Sequence, residues 1–286
     1  MYRIKTFNAI SEKGLNRFPK DRYAVDADLD EAEAILLRSH KLDPRVINES
    51  LRAVARAGAG INNVPVENCT ENGVVVFNTP GANANAVKEL VLCGLLLASR
   101  GIIPGISFAS NQHSVQDYTE LSKMMEAEKK KFKGNEIAGK TLGVIGLGSI
   151  GSLVADMAIK LGMQVQGFDP ALSVEAAWRL PSQVKRIENL NILVGKSDFI
   201  SLHLPALNST RNLIDASIFA TMRTGTTLLN FARDEIVDTE ALLRALSSGK
   251  IGKYICDFPR PEFHRHKNVI SMPHIGASTA EAEARK

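Results

Sequence analysis

Three side chains, Arg233, Glu262 and His274, are of the types that could remove a proton from an alcohol that also carries a carboxylate. A guanidinium binds a carboxylate through two parallel hydrogen bonds. Histidine has a pKa near neutrality, so it can take up a hydroxyl proton and return it. A buried carboxylate beside that histidine would orient its ring and raise its pKa. Taken singly, the three could be a surface arginine, a solvated glutamate and a structural histidine, and the sequence does not show that they meet.

A glycine-rich segment, GKTLGVIGLGSIG at 139–151, has the pattern of a dinucleotide-binding turn. Its apolar residues predict a buried strand, and the apolar spacing over 152–161 predicts a helix after the turn. Gly146 would permit the tight turn, Gly148 would let the backbone approach a pyrophosphate, and Gly151 would let the helix pack closely on the strand. The first N–H groups of that helix would face the phosphates.

A second strand, 164–168, follows this helix and ends in Asp169, 23 positions after Gly146. A carboxylate at this place holds the ribose hydroxyls of a dinucleotide. We therefore expect NAD as the cofactor, and the alternative is a βαβ unit without a ligand.

Strands alternate with helices along the chain, which indicates parallel sheets covered on both faces by helices. The expected strands are 2–7, 34–38, 51–55, 74–78, 141–145, 164–168, 198–204, 226–230, 253–256 and 269–272. The expected helices include 43–50, 65–72, 83–100, 117–130, 152–161 and 238–246. We predict an α/β fold with two doubly wound parallel-sheet domains.

The break Gly101–Gly105 is the candidate hinge between these domains. Residues 1–100 are predicted to form a flavodoxin-like substrate-binding domain, to which 277–286 return. Residues 101–276 are predicted to form a Rossmann-type NAD-binding domain. Ligands of such sheets lie beyond the carboxyl ends of the strands. The polar residues just past the expected strands should therefore converge on one crevice: His203, Asn230, Arg233, Asp257, Glu262 and His274.

The composition is that of an ordinary soluble protein, with 44% apolar and 23% charged residues and a net charge of +4 over 286 residues. The lysine triplet 129–131 is typical of a solvated helix end, so no nucleic-acid partner is expected. The three cysteines are scattered, and neither a signal peptide nor a membrane-spanning run is recognisable. We expect a cytoplasmic protein with a small-molecule substrate and no metal site.

Two arginines, Arg38 and Arg56, stand at the ends of predicted strands of the first half of the chain. Arg56 also opens the glycine-rich loop 56–63, whose N–H groups could converge on a small anion. By composition alone an ordinary turn is the better interpretation of this loop. The arginines could be solvated strand-end charges, but two at matching ends favour phosphate binding.

Seven segments resemble, in order, the D-2-hydroxyacid dehydrogenase family, and most closely its phosphoglycerate dehydrogenase branch. They are RAGAGINNV (56–64), NTPGANANAVKEL (78–90), GKTLGVIGLGSIG (139–151), SLHLP (201–205), LLNFARDEIVD (228–238), DFPRPE (257–262) and PHIGASTAEAE (273–283).

The resemblance implies that Arg233 binds the substrate, that Glu262 pairs with His274, and that His274 is the acid and base. It implies NAD contacts at Gly146, Gly148, Ser149, Ile150, Gly151, Asp169, His203, Leu204, Pro205, Phe231, Ala232, Asp257, Gly276 and Ala277, with Asp257 near the carboxamide. It implies substrate contacts at Arg38, Arg56, Ala59, Gly60 and Asn83, and a homodimer formed through the NAD-binding domain.

The reaction implied is oxidation of 3-phospho-D-glycerate at C2, which opens serine synthesis. The alternatives are a relative acting on glyoxylate, hydroxypyruvate or D-lactate, and a non-catalytic NAD-sensing corepressor of the same fold. Asp234 stands where the family has glycine after the arginine, Leu204 replaces a small polar residue, and Asn62 replaces an aspartate. Only twelve positions separate Glu262 from His274, as in a compact bacterial subgroup. The family continues with another helix, so we expect further residues beyond Lys286.

Overall fold

The structure is a computed structural model that describes residues 1–8, 10–178, 180–264 and 266–285. The chain forms two compact units. Unit 1 comprises Met1–Val87 and Gly276–Lys286, and unit 2 comprises Lys88–Ile275. The first boundary lies within a helix rather than at the expected break after residue 100. The assignment of a function to each domain stays a prediction.

Unit 1 contains one parallel sheet with helices and a short terminal helix. Its strands are β1 (Tyr2–Phe7), β2 (Tyr23–Asp26), β3 (Ala34–Leu37), β4 (Ala53–Arg56) and β5 (Val75–Asn78). Its helices are α1 (Glu12–Leu15), α2 (Val66–Glu71) and α11 (Ala280–Arg285), and the first residues of α3 (Ala84–Ser99) belong to it. The strand order β2-β1-β3-β4-β5 is flavodoxin-like. Buried Ile35, Leu37 and Val54 form the centre of its core.

Unit 2 contains a larger parallel sheet. Its strands are β6 (Thr141–Ile145), β7 (Gln164–Phe168), β8 (Lys185–Arg186), β9 (Phe199–Leu202), β10 (Thr226–Asn230), β11 (Ile251–Cys256) and β12 (Val269–Ser271). Its helices, besides most of α3, are α4 (Ile102–Ser110), α5 (Tyr118–Glu128), α6 (Ser149–Lys160), α7 (Val174–Trp178), α8 (Leu190–Lys196), α9 (Ala216–Thr221) and α10 (Thr239–Ser247). The order β12-β11-β10-β9-β6-β7-β8 is that of a Rossmann sheet with one added edge strand, so the predicted fold class is confirmed.

Two local predictions were wrong. The expected helix 43–50 is a single 3₁₀ turn, Pro44–Val46, because Asp43 and Asn48 accept hydrogen bonds from the N–H groups two residues later and so compete with a helix. Gly105 does not break a helix but lies inside α4, and the break is confined to the residues around Gly101.

Among the described helices, no single one is both long and apolar enough to cross a membrane. The helices α3 and α4 reach that length only as a pair, and they are bent by 72°.

The carboxyl ends of the central strands of unit 2 lie side by side. The register pairs Ile145 with Leu202, Leu202 with Asn230, Asn230 with Cys256, and Cys256 with Ser271. Side chains that follow these residues by one to three positions must therefore emerge from one edge of the sheet. This row of strand ends positions the candidate site.

Candidate active site

The turn after β6 has the geometry that its glycines predict. Gly146 has a φ of +91°, and a Cβ there would come within 2.4 Å of the His203 carbonyl oxygen. A Cβ at Gly151 would come within 1.9 Å of the Gly146 carbonyl oxygen. Nothing lies within 4 Å of a Cβ built at Gly148, the residue that caps α6. A glycine is thus required at positions 146 and 151 by contacts within the protein, whereas the space next to Gly148 is open to a ligand.

Asp169 is bonded to the turn and borders a cavity. Its Oδ2 accepts a hydrogen bond from Leu147 N at 2.8 Å, and its Oδ1 accepts one from Ala171 N at 2.9 Å. The carboxylate lines a cavity of about 500 Å³ with Trp178 and Arg186. An open glycine turn, a helix N-terminus and a carboxylate in a cavity fit a dinucleotide. The residues that would hold NAD here are the 146–151 turn, including Ser149 and Ile150 in the first turn of α6, and Asp169.

His203, the first residue after β9, supports the turn and is not suited to acid–base chemistry. Its Nε2 lies 2.8 Å from the Ser201 hydroxyl, and its buried Nδ1 has no hydrogen-bond partner among the described residues. Burial lowers the pKa of His203 to about 3, so the ring is neutral at physiological pH. Its carbonyl packs against Gly146, and its N–H donates to Ile145 O at 2.7 Å. Leu204 also packs against Gly146, and the Pro205 carbonyl accepts a hydrogen bond from Thr210.

The loop after β10 presents Arg233 and is organised by Asn230. The Asn230 side chain is fully buried and donates to the Arg233 carbonyl at 2.8 Å. Its Oδ1 accepts a hydrogen bond from Ala232 N at 3.1 Å, and its amide also lies 3.3 Å from the buried Tyr254 hydroxyl. Phe231 and Ala232 are buried, whereas Arg233 is half-buried.

Asn230 was predicted to face the crevice because it is a polar side chain that closes an otherwise apolar strand, TTLLN. Its role in holding the loop that carries Arg233 was not predicted, and Tyr254 was not predicted as a site residue at all.

His274 follows β12 on a strained backbone, with a φ of +57°. A positive φ at a residue other than glycine is costly and must be imposed by the surroundings. Asp257, which is buried at the end of β11, accepts a hydrogen bond from Ile275 N at 2.8 Å and so holds the backbone next to His274. The exposed imidazole packs edge-on against Phe258, with a ring separation of 5.2 Å. Asp257 therefore has a positioning role, and its predicted contact with the cofactor stays a prediction.

Glu262 lies in the 3₁₀ turn Pro261–Phe263, which is anchored by the buried Phe263 ring on Tyr254. Its carboxylate is exposed, not buried as the sequence argument required, and it forms no hydrogen bond or ion pair with any described residue. No hydrogen bond or ion pair joins the Glu262 carboxylate to His274 in the structure. Their predicted pairing stays a prediction.

Arg38 and Arg56 meet at the carboxyl edge of the sheet in unit 1. They line one cavity of about 570 Å³ with Thr79 and Glu283. Arg56 Nε donates to the Arg38 carbonyl at 3.0 Å, and Arg38 Nη1 lies 2.8 Å from Glu283 Oε1. The Thr79 hydroxyl is buried without a hydrogen-bond partner among the described residues.

The glycine of the 56–63 loop that faces Arg56 is Gly58, with a φ of +150°. A Cβ at Gly58 would come within 2.1 Å of Arg56 Nη1, so this glycine makes room for the guanidinium.

The other predicted contact residues of unit 1 occupy loops. Ala59 is exposed, and its carbonyl accepts a hydrogen bond from Asn78 Nδ2 at 2.7 Å. Gly60 and Asn83 are half-buried, and Asn83 stands just before α3. Gly276 and Ala277 lead into α11, with Gly276 buried. The ligand contacts predicted for these five residues stay predictions.

Residues 106–276 match the family D-isomer specific 2-hydroxyacid dehydrogenase, NAD binding domain. D-3-phosphoglycerate dehydrogenase from Rattus norvegicus is 40% identical over 268 residues, which are 91% of this chain and 47% of the rat protein. Hydroxypyruvate reductase from Thermotoga maritima is 38% identical over 267 residues, which are 89% of this chain and 81% of that protein. The chain thus spans about half the length of the rat enzyme.

The fold is also that of a solved structure. The holo form of D-mandelate dehydrogenase from Rhodotorula graminis superposes with a TM-score of 0.83 at 25% identity, covering 99% of this chain and 90% of that one. These matches confirm the resemblance inferred from the sequence and the assignment of NAD as cofactor.

Proposed function

We propose that this chain, which belongs to the D-isomer-specific 2-hydroxyacid dehydrogenase family, oxidises 3-phospho-D-glycerate to 3-phosphohydroxypyruvate, the first step of serine synthesis. NAD, when bound, supplies the acceptor for the hydride that leaves C2. The protein must then bind the substrate carboxylate, take the proton from the C2 hydroxyl and recognise the phosphate.

The first two tasks are assigned to unit 2. Arg233 would bind the carboxylate through its guanidinium fork. His274 would accept the hydroxyl proton as the C2–H bond breaks, and would return it in the reverse direction. The Asp257–Ile275 hydrogen bond supports this assignment, because it fixes the loop that carries the imidazole.

The phosphate is assigned to the cavity of unit 1, and this cavity is the observation that carries the proposal. It combines two guanidinium groups, Arg38 and Arg56, with a buried hydroxyl at Thr79 that has no hydrogen-bond partner among the described residues. A phosphate dianion needs cationic forks and hydroxyl donors of this kind.

Reduction of hydroxypyruvate is the second candidate. The similarity to the Thermotoga maritima hydroxypyruvate reductase extends over 81% of that enzyme. In addition, the Glu283 carboxylate is already paired with Arg38, as it would be in an enzyme whose substrate lacks a phosphate.

The two candidates are separated by kcat/KM for 3-phosphohydroxypyruvate, hydroxypyruvate and glyoxylate, each reduced with NADH. We expect 3-phosphohydroxypyruvate to be preferred by about tenfold or more, because it alone forms charge-assisted contacts in the unit 1 cavity. A preference for hydroxypyruvate would establish the second candidate instead.

We also propose a homodimer formed through unit 2. The helices α3 and α4 expose four large apolar side chains, at Leu96, Ile102, Ile103 and Ile106. An apolar surface of this kind is typical of a protein interface. We expect sedimentation to give a dimer and Ile106→Glu to give a monomer, whereas a monomeric unmodified protein would exclude the interface.

A further inference from the structure

An ion pair joins the loop after β10 to the loop after β11 in unit 2. Arg260 Nε donates to Asp234 Oδ1 at 3.1 Å and Oδ2 at 3.0 Å, and Arg260 Nη2 donates to Oδ2 at 2.5 Å. The side chains are 36% and 27% exposed. This contact is a fork around one carboxylate, held partly away from water, and it is more specific than a mobile surface pair.

The position of Asp234 makes this pair consequential. Asp234 follows Arg233 directly in the chain, so the long and flexible Arg233 side chain is able to reach the Asp234 carboxylate. A carboxylate tethered within such reach acts as an intramolecular competitor for that guanidinium. Its effective concentration would far exceed that of a dissolved substrate.

Arg233 is nevertheless not paired with Asp234. Its one side-chain hydrogen bond to a described residue runs from Nη1 to the Ala232 carbonyl at 2.6 Å, and it forms no ion pair with the described residues. A guanidinium has five N–H donors, so the donors that a substrate carboxylate needs remain available.

We propose that Arg260 is a positioning residue that sequesters the Asp234 carboxylate and so keeps Arg233 available for the carboxylate of the substrate. This inference rests on the proposed function, in which Arg233 binds that carboxylate. Arg260 acts only through Asp234 and need not touch the substrate.

The test is a set of three variants, Arg260→Ala, Asp234→Ala and the double variant, assayed with hydroxypyruvate and NADH. Hydroxypyruvate lacks a phosphate, so the result does not depend on the cavity of unit 1. We expect Arg260→Ala to raise KM about tenfold or more, because it releases a charged competitor onto Arg233. Asp234→Ala and the double variant should both keep a KM close to that of the unmodified protein, because neither has the competitor.

Recovery of KM in the double variant is the decisive result. If the pair only tethers the two loops, all three variants lose the same contact and their KM values rise together, which would overturn the proposal. An unchanged KM in Arg260→Ala would overturn it as well. Arg260→Lys is a second variant that retains a cation without the fork, and its KM should lie between those of the unmodified protein and Arg260→Ala.

Two controls complete the design. Arg223→Ala removes another ion pair of unit 2, with Asp198 at 3.0 Å, and should leave KM unchanged. Arg233→Ala tests the premise, because a normal KM in this variant would refute the carboxylate assignment itself. A raised KM in Arg233→Ala, without recovery in the double variant, would refute the role of Arg260 alone.

Discussion

Removing the Glu283 carboxylate should improve the binding of a phosphorylated substrate. Glu283 pairs with Arg38 inside the unit 1 cavity, so a phosphate that uses Arg38 must first displace it. The side chains of Arg38 and Glu283 are 28% and 46% exposed. Solvent screening therefore limits the pair to about 0.2–1 kcal/mol. On this basis Glu283→Gln lowers KM for 3-phosphohydroxypyruvate by up to about fivefold.

Arg38→Ala should have the opposite and larger effect. A hydrogen bond to a charged group contributes about 1.5–3 kcal/mol, so its loss raises KM for 3-phosphohydroxypyruvate roughly ten- to hundredfold. KM for hydroxypyruvate should change little in either variant, because that substrate has no group for Arg38 to bind. Arg45→Ala is the matched control, since Arg45 also pairs with a carboxylate, Asp43, but does not line the cavity.

The assay is the initial rate of NADH oxidation as a function of each 2-oxo acid. The reasoning is refuted if Arg38→Ala raises KM for both substrates equally, because the arginine would then be structural. It is also refuted if Glu283→Gln raises KM for the phosphorylated substrate, because Glu283 would then orient Arg38 rather than compete for it.

Three further outcomes follow from unit 2. His274→Ala should lower kcat about a hundredfold or more while NADH still binds; energy transfer from Trp178, the single tryptophan, to NADH measures that binding. Asp169→Ser should raise kcat/KM with NADPH, because Arg186 lines the same cavity and could bind a 2′-phosphate, and Asp169→Ser with Arg186→Ala should lose this gain. His203 has a pKa of about 3 in the folded state against 6.5 ordinarily, so neutral His203 contributes stability above about pH 6.5 that is lost as the pH falls. His203→Gln should therefore weaken the decline in urea midpoint between about pH 7 and pH 4.

The sequence predicted the sheets well because buried parallel strands leave a strong local signal. The strands predicted from apolar runs, such as TTLL followed by Asn230, end within a residue or two of the observed strand ends. The strand β2 (Tyr23–Asp26) was not predicted, because its apolar run covers only residues 23–25 and is too short to indicate a strand by itself. Hydrogen bonding to β1 is what stabilises it as a strand. The helix expected at 43–50 failed because its side chains bond to their own backbone, and a periodicity argument does not include that competition.

The sequence supplies residue types for the candidate site, whose roles stay predictions, but it does not supply the contacts between them. The motifs identified Arg233, Asp257 and His274, yet nothing in them indicates that Asp257 holds the backbone of the His274 loop. That bond exists because β11 and β12 are adjacent, with Cys256 and Ser271 paired. It depends on register, which the sequence leaves open.

The ion pair Asp234–Arg260 is a second contact that the sequence does not reveal, and it changes the charge next to Arg233. From the sequence alone, Asp234 is an unfavourable departure, since it places a negative charge next to the arginine that the resemblance predicts to bind the substrate carboxylate. Its compensating partner lies 26 positions away, at the far side of β11. Only the adjacency of β10 and β11 brings the two loops within hydrogen-bonding distance. The negative charge of Asp234, unfavourable by its place in the sequence, is thus neutralised by a residue that only the tertiary structure brings near. The double variant Asp234→Ala/Arg260→Ala determines whether the effects of the two substitutions on KM are coupled.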